Sequence, residues 1–163
     1  MKRRIMFVCH GNICRSPMAE FVMKNILKKL GLENEYTIAS SATSNEEVGN
    51  PIYPPAAREL KRRGIAFEYR HAVRLQSEDY AKYDLFVLMD DNNIRNISRI
   101  FSSDPDRKIC KLLSFTGTDR DVADPWFTGL FDKTYDDILK GCIALLSSID
   151  ERISNDDLGR ILA

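Results

Sequence analysis

An excess of charge of either sign is missing from this chain. Its 163 residues carry 24 Lys and Arg against 24 Asp and Glu, a formal net charge of zero. Such a balance offers no basic footprint for nucleic acid and no polybasic patch for an anionic membrane, so neither is an expected partner. Long apolar runs are missing too. Leu85 to Met89 falls far short of a bilayer span. Lys2-Arg3-Arg4 followed by Ile5 to Val8 has the outline of a secretory signal, yet the apolar run stops at His10, too short for an h-region. The protein is expected in the cytoplasm. Cysteine is sparse, with 4 in all, which excludes a disulfide scaffold. Cys110 in "KICKLL" and Cys142 in "DILKGCIALL" read as buried core thiols. Repeats and low-complexity tracts are absent, and a hydrophobic content of 44% excludes disorder. The length fits one domain, residues 1–163, and is too short for two.

What is present is an alternation of strand and helix patterns. Ile5 to Val8 is a buried-strand run. Pro17 suits a first helical turn with Ser16 as its cap, and apolar residues from Met18 to Leu30 recur at helical spacing until Gly31. "YTIASS" reads as a second strand. "GNPIYPPAAREL" is a proline-punctuated loop feeding a helix that ends at Gly64, and "SEDYAKY" is a short helix. "DLFVLM" has an apolar residue at every position after its Asp, the pattern of a parallel strand covered on both faces. "DNNIRNISRIF" is helical, "KICKLL" a strand, and Phe131 to about Ile153 a long terminal helix. This order implies an α/β fold, a parallel sheet with helices on both faces and right-handed crossovers. Ligands of such folds bind at the carboxyl ends of the strands. Cys9, Asp90 and the segment "DVADPWF" should therefore open on one rim.

"VCHGNICRSP", Val8 to Pro17, stands where the first strand hands over to a helix. A loop of this kind can turn successive backbone N–H groups inward and, with the helix N-terminus, form a nest for an oxyanion such as phosphate. Gly11 and Asn12 are residue types that tolerate left-handed backbone angles. Arg15 supplies a planar, permanently charged fork that matches two phosphate oxygens. The same positive field favours the thiolate form of Cys9, and Ser16 can donate a hydrogen bond to that sulfur. The spacing does not fit a metal site: no second Cys/His pair accompanies Cys9, His10 and Cys14, and the arginine would repel a cation. The Lys-Ser/Thr ending of a nucleotide-binding P-loop is missing as well.

The stretch closely resembles the signature of the low molecular weight protein tyrosine phosphatases, V-C-x-G-N-I-C-R-S-P. "DPWF" resembles the Asp-Pro-aromatic loop of that family, and "SSATS", "RHAVRL" and "VLMDDNN" resemble its segments in order. The resemblance implies a single domain with a central four-stranded parallel sheet. It implies hydrolysis of phosphotyrosine proteins or small aryl phosphates by a monomer without cofactor or metal, with phosphate as product and inhibitor. It makes Cys9 the nucleophile, Arg15 the phosphate clamp and Asp124 the general acid. Cys9, His10, Gly11, Asn12, Ile13, Cys14, Arg15 and Ser16 then form the phosphate loop. Asn12 would hold that loop in shape, supported from behind by a serine (Ser41 or its neighbour Ser40) and by His71. Asp90 would anchor the loop arginine. Glu46 and Glu47 stand where many relatives place an aromatic cleft wall, while Trp126 and Phe127 keep the aromatic wall on the opposite side. The family also keeps a second cysteine at the place of Cys14, close enough to trap an oxidised Cys9.

An arsenate reductase of similar fold would need further cysteines placed as a relay, and a rhodanese-like sulfurtransferase has no use for Asp124. A phosphate-binding module would need neither Cys9 nor Asp124. Metal-free turnover of p-nitrophenyl phosphate separates the phosphatase from all of these.

Overall fold

A computed structural model describes residues 2–162. Four parallel strands, β1 (Arg3–Cys9), β2 (Tyr36–Ala42), β3 (Leu85–Leu88) and β4 (Ile109–Lys111), lie in the order β2-β1-β3-β4. The helices are α1 (Arg15–Lys29), α2 (Pro54–Arg62), α3 (Asp79–Lys82), α4 (Asp91–Ile97), α5 (Pro125–Thr128), α6 (Phe131–Ile149) and α7 (Asn155–Leu162). Short 3₁₀ turns span Glu33–Glu35 and Leu112–Thr116. The parallel α/β architecture expected from the alternation is the one observed.

The pleat of the two central strands sorts their side chains between two cores. Ile5 and Phe7 of β1, with Val87 of β3, face the larger core built with α1 and α6. Met6 and Val8, with Phe86 and Leu88, face a smaller one closed by Leu75, Ile97 and Phe101. A strand buried on both faces has no polar side, which is why these segments read as unbroken apolar runs. The order also places β1 beside both β2 and β3. The loop leaving its carboxyl end thus opens at the point where the chain's crossovers diverge.

Four expectations about the elements need correction. Helix α1 starts at Arg15 with Cys14 in the cap position and no side-chain cap bond, because the Ser16 hydroxyl is turned into the preceding loop. Strand β4 stops at Lys111, and the chain tightens into a 3₁₀ turn. There Leu112 lies so close to Gly141 of α6 that a β-carbon would collide with Leu112 Cγ. The segment after β3 is helical only to Ile97. The terminal helix breaks at Asp150, whose buried carboxylate accepts from Tyr36 Oη at 2.7 Å and from Arg152 Nε at 2.9 Å. The Arg152 and Tyr36 bonds hold this carboxyl well below the ordinary range, and they turn the backbone out of the helix. Cys142 is fully buried, whereas Cys110 is only partly so on the edge strand; burial pushes the Cys110 thiol up to about 12.

Candidate active site

The loop from Cys9 to Arg15 is shaped by where its carbonyls go. The carbonyls of Cys9, His10 and Ile13 accept from the N–H groups of Thr43, Ser44 and Tyr53, at 2.9, 3.1 and 2.9 Å. With the carbonyls drawn outward, the N–H groups are left to face the concave side. The N–H groups of Asn12 and Ser16 both point at Cys9 Sγ from 3.4 Å, and Ser16 Oγ lies 3.0 Å from it. Asn12 sits at φ +58°, the left-handed angle expected of it. Gly11 has no such angle. Its lack of a side chain serves proximity instead, since a β-carbon there would stand 3.2 Å from Glu47 Cγ.

Asn12 is fully buried and is the hub behind the loop. Its amide nitrogen donates to Ser16 Oγ at 2.8 Å and to Ser40 Oγ at 2.9 Å. Ser40 in turn donates to Glu20 Oε1 at 2.7 Å, and Lys24 closes the other carboxylate oxygen at 2.6 Å. The amide oxygen of Asn12 accepts from the Val73 N–H at 3.1 Å and from Arg70 Nη2. Two expectations are corrected here. The serine on Asn12 is Ser40, while the buried hydroxyl of Ser41 has no hydrogen-bond partner among the described residues. The side chain behind Asn12 is Arg70 rather than His71, which stands exposed with its ring edge-on to Tyr69 at 5.4 Å. The reason is the pleat of an extended segment: Tyr69, His71 and Val73 face out, while Ala72 and, in part, Arg70 and Arg74 are covered. A shift of one residue reverses the face.

Arg15 is 2% exposed. Nη1 donates to Asp90 Oδ2 at 2.6 Å and to the Val122 carbonyl at 2.8 Å, and Nη2 donates to Asp124 Oδ2 at 3.3 Å. Of the five N–H bonds of a guanidinium, these contacts use both on Nη1 and one on Nη2. The Nε edge and the second Nη2 hydrogen remain, a planar pair suited to two oxygens of one ligand. Burial opposes the charge, but Cys9, Asp124 and Asp90 outweigh it and hold the guanidinium above its ordinary value. Asp90 is itself immobilised as the cap of α4, accepting from the Asn93 N–H at 2.8 Å.

Asp124 caps the short helix α5 through the Trp126 N–H at 3.1 Å, so its second oxygen is free to meet Arg15. Trp126 packs on Tyr53 with ring centroids 4.8 Å apart, and Phe127 beside it is 84% exposed. Across the cleft, Glu46 meets His10 Nε2 at 2.9 Å and Glu47 accepts from Asn50 at 2.6 Å. The cleft is therefore walled by aromatics on one side and by carboxylates on the other. Cys14 shares the loop, but burial first, then Cys9 and Asp124, push its thiol far up. Arg70, Glu20 and the Val122 carbonyl were not foreseen in the sequence. Glu20 alone had a local signal, one helical turn beyond Ser16 on the same face of α1.

A family model described as low molecular weight phosphotyrosine protein phosphatase matches residues 4–155. The chain is 34% identical over 149 residues to the low molecular weight protein-tyrosine-phosphatase YfkJ of Bacillus subtilis, covering 90% of this chain and 96% of that one. It is 37% identical over 129 residues to a low molecular weight phosphotyrosine protein phosphatase of Schizosaccharomyces pombe, covering 77% and 82%. The crystal structure of YfkJ superposes with a TM-score of 0.89 at 33% identity, over 94% of this chain and 98% of that chain. The low molecular weight protein tyrosine phosphatase of Streptococcus pyogenes does so with 0.82 at 35% identity, over 96% and 97%.

Proposed function

The chain belongs to the low molecular weight phosphotyrosine protein phosphatases, a family of hydrolases, and from that premise we propose that its site works through a cysteinyl-phosphate. The observation that carries this reading is the meeting of Cys9, Arg15 and Asp124 on one rim, with Arg15 bonded to Asp124 at 3.3 Å. In the first step the Cys9 thiolate attacks phosphorus, a P–S bond forms and the ester P–O bond breaks. The proton for the departing phenol comes from the Asp124 carboxyl. In the second step the Asp124 carboxylate takes a proton from water as that water attacks phosphorus. The P–S bond then breaks, returning the thiolate and inorganic phosphate. Splitting the displacement avoids direct attack by water on a phosphate dianion. The free edge of Arg15 and the inward N–H groups hold the equatorial oxygens, where charge spreads in the transition state. Ser16 and the two N–H groups on Cys9 Sγ steady the sulfur as attacking and as leaving group.

The substrate is a phosphotyrosine protein or a small aryl phosphate, its ring resting against Trp126. We place the enzyme in the cytoplasm as a monomer of one domain. Among the described residues, no helix is long and apolar enough to cross a membrane.

Replacing Asp124 by Asn tests the acid step. The ratio kcat/KM reports events through the first irreversible step, departure of the leaving group. Asp124→Asn should cost about a hundredfold on a phosphotyrosine peptide, whose phenol needs the proton, and less than about tenfold on p-nitrophenyl phosphate. Equal losses on the two substrates would remove Asp124 from this role.

The acidic wall makes a second, smaller difference. Glu46→Lys with Glu47→Lys should raise kcat/KM for peptides with acidic flanks, relative to neutral ones, by about fivefold at low salt, and the gain should shrink as salt is added. An unchanged ranking of peptides would make the pair a solvated loop face only.

A further inference from the structure

Lys111 ends β4, and its side chain is 5% exposed although the three carboxylates around its ammonium are open to water. Nζ meets Asp91 Oδ1 and Asp121 Oδ1 at 2.9 Å each, donates to the Asp119 carbonyl at 2.7 Å and stands 3.3 Å from the Asp119 carboxylate. These partners lie on two different arms of the site. Asp91 opens α4 and follows Asp90, which holds Arg15. Asp119 and Asp121 belong to the irregular segment 118–124 that delivers Asp124. That segment has no helix or strand of its own, so its stiffness comes from its tethers. Besides Lys111, these include the Val122 N–H to the Met89 carbonyl at 2.8 Å, Arg15 to the Val122 carbonyl and to Asp124, the Asp91 N–H to Asp121 Oδ1 at 3.3 Å, Thr134 Oγ1 to the Ala123 carbonyl at 3.4 Å, and Arg120 to Asp137 at 3.0 Å. Lys111 itself has a fixed root, because the next residue is wedged against Gly141 of α6. Without the ammonium, three like charges would surround one empty point and drive the acid segment away from α4.

We propose that Lys111 is a positioning residue for the leaving-group proton, fixing through Asp119 and Asp121 where the Asp124 carboxyl stands over the phosphate loop. The inference rests on the reading of Asp124 as general acid and extends it to a residue that touches neither substrate nor the reacting atoms. Burial opposes the charge on Lys111, yet its bonds to Asp91, Asp121 and Asp119 raise its proton affinity above the ordinary lysine value, so the pin stays cationic.

The test compares kcat/KM on a phosphotyrosine peptide and on p-nitrophenyl phosphate for Lys111→Met, Lys111→Arg, Asp124→Asn and the Lys111→Met/Asp124→Asn double variant. Lys111→Met should lose about tenfold on the peptide and less than about twofold on the activated ester, since a small displacement of a catalytic group is felt only where that group is needed. Lys111→Arg should recover most of the loss. In the Asp124→Asn background the same Lys111 substitution should cost nothing more, because the proton it positions is already gone. Equal losses on both substrates, or a full tenfold loss in the Asp124→Asn background, would overturn the proposal and leave Lys111 as a stability residue. If Asp124→Asn itself fails to separate the substrates, the reading of the acid falls, a result distinct from failure at Lys111. Should Lys111→Met not fold, Asp121→Asn at the half-exposed partner reads the same tether. It should give a selective loss of about threefold on the peptide, and a non-selective result there counts against the proposal.

Discussion

Cys9→Ser is expected to abolish turnover, by more than about ten-thousandfold, while phosphate still binds at least as tightly. The cradle does not depend on sulfur. The outward carbonyls, the Asn12 hub and Arg15 with its carboxylates are all built from other residues. What changes is the nucleophile: a serine hydroxyl is a far weaker nucleophile than a thiolate, and none of the groups hydrogen-bonded to this position, the Asn12 and Ser16 N–H groups and the Ser16 hydroxyl, is a base that could activate it. Binding can be read in the same protein without turnover. The chain has a single tryptophan, and Trp126 lies on the cleft wall, so its fluorescence follows phosphate titration directly. Activity of Cys9→Ser within about tenfold of the parent would sink the covalent mechanism. Loss of phosphate binding would mean that the sulfur is part of the cradle.

Arg15→Lys is expected to cost about two to three orders of magnitude in kcat, the size seen when a transition-state donor is removed. The substitution keeps the charge and loses the shape. The guanidinium meets Asp90, the Val122 carbonyl and Asp124 at once and still presents an edge to a ligand. A lysine ammonium has three hydrogens on one atom and cannot span those directions while also gripping two phosphate oxygens. Asp90 and the acid segment would lose their common partner, so phosphate affinity should fall together with kcat. The measurement is steady-state turnover beside phosphate titration. A variant that keeps a third or more of the parent's kcat would show that charge alone suffices.

The site was legible in the sequence where its parts are contiguous. Cys9, Asn12, Arg15 and Ser16 lie in one turn, and their types already describe an anion nest with a thiol beneath it. Asp124 was legible through the resemblance of "DPWF" to the family's Asp-Pro-aromatic loop and its expected place on the same rim as Cys9; an aspartate before proline alone reads as a turn. What lay behind the loop was not legible, because it depends on which way an extended chain faces. Ser40 and Ser41 are neighbours pointing to opposite sides of β2, and Arg70 and His71 are neighbours on an extended edge segment. Composition cannot choose between them, and only the register with Asn12 does. The break of the terminal helix had the same cause, a carboxylate of Asp150 claimed by Tyr36 from far along the chain. Lys111 was hidden for a further reason: a lysine ending a strand reads as a solvated tip until three carboxylates from two other segments close over it.

The partners of Arg15 lie 75, 107 and 109 positions along the chain from it. In a chain made from its N-terminus, contacts of such separation wait until the intervening residues have been added. Strand β1 and helix α1 are adjacent and can come together early, but their guanidinium then has neither Asp90 nor the Val122 carbonyl to meet. A growing chain thus carries its nucleophilic cysteine well before it owns a working phosphate grip. A half-made chain holds a bare thiol and no enzyme.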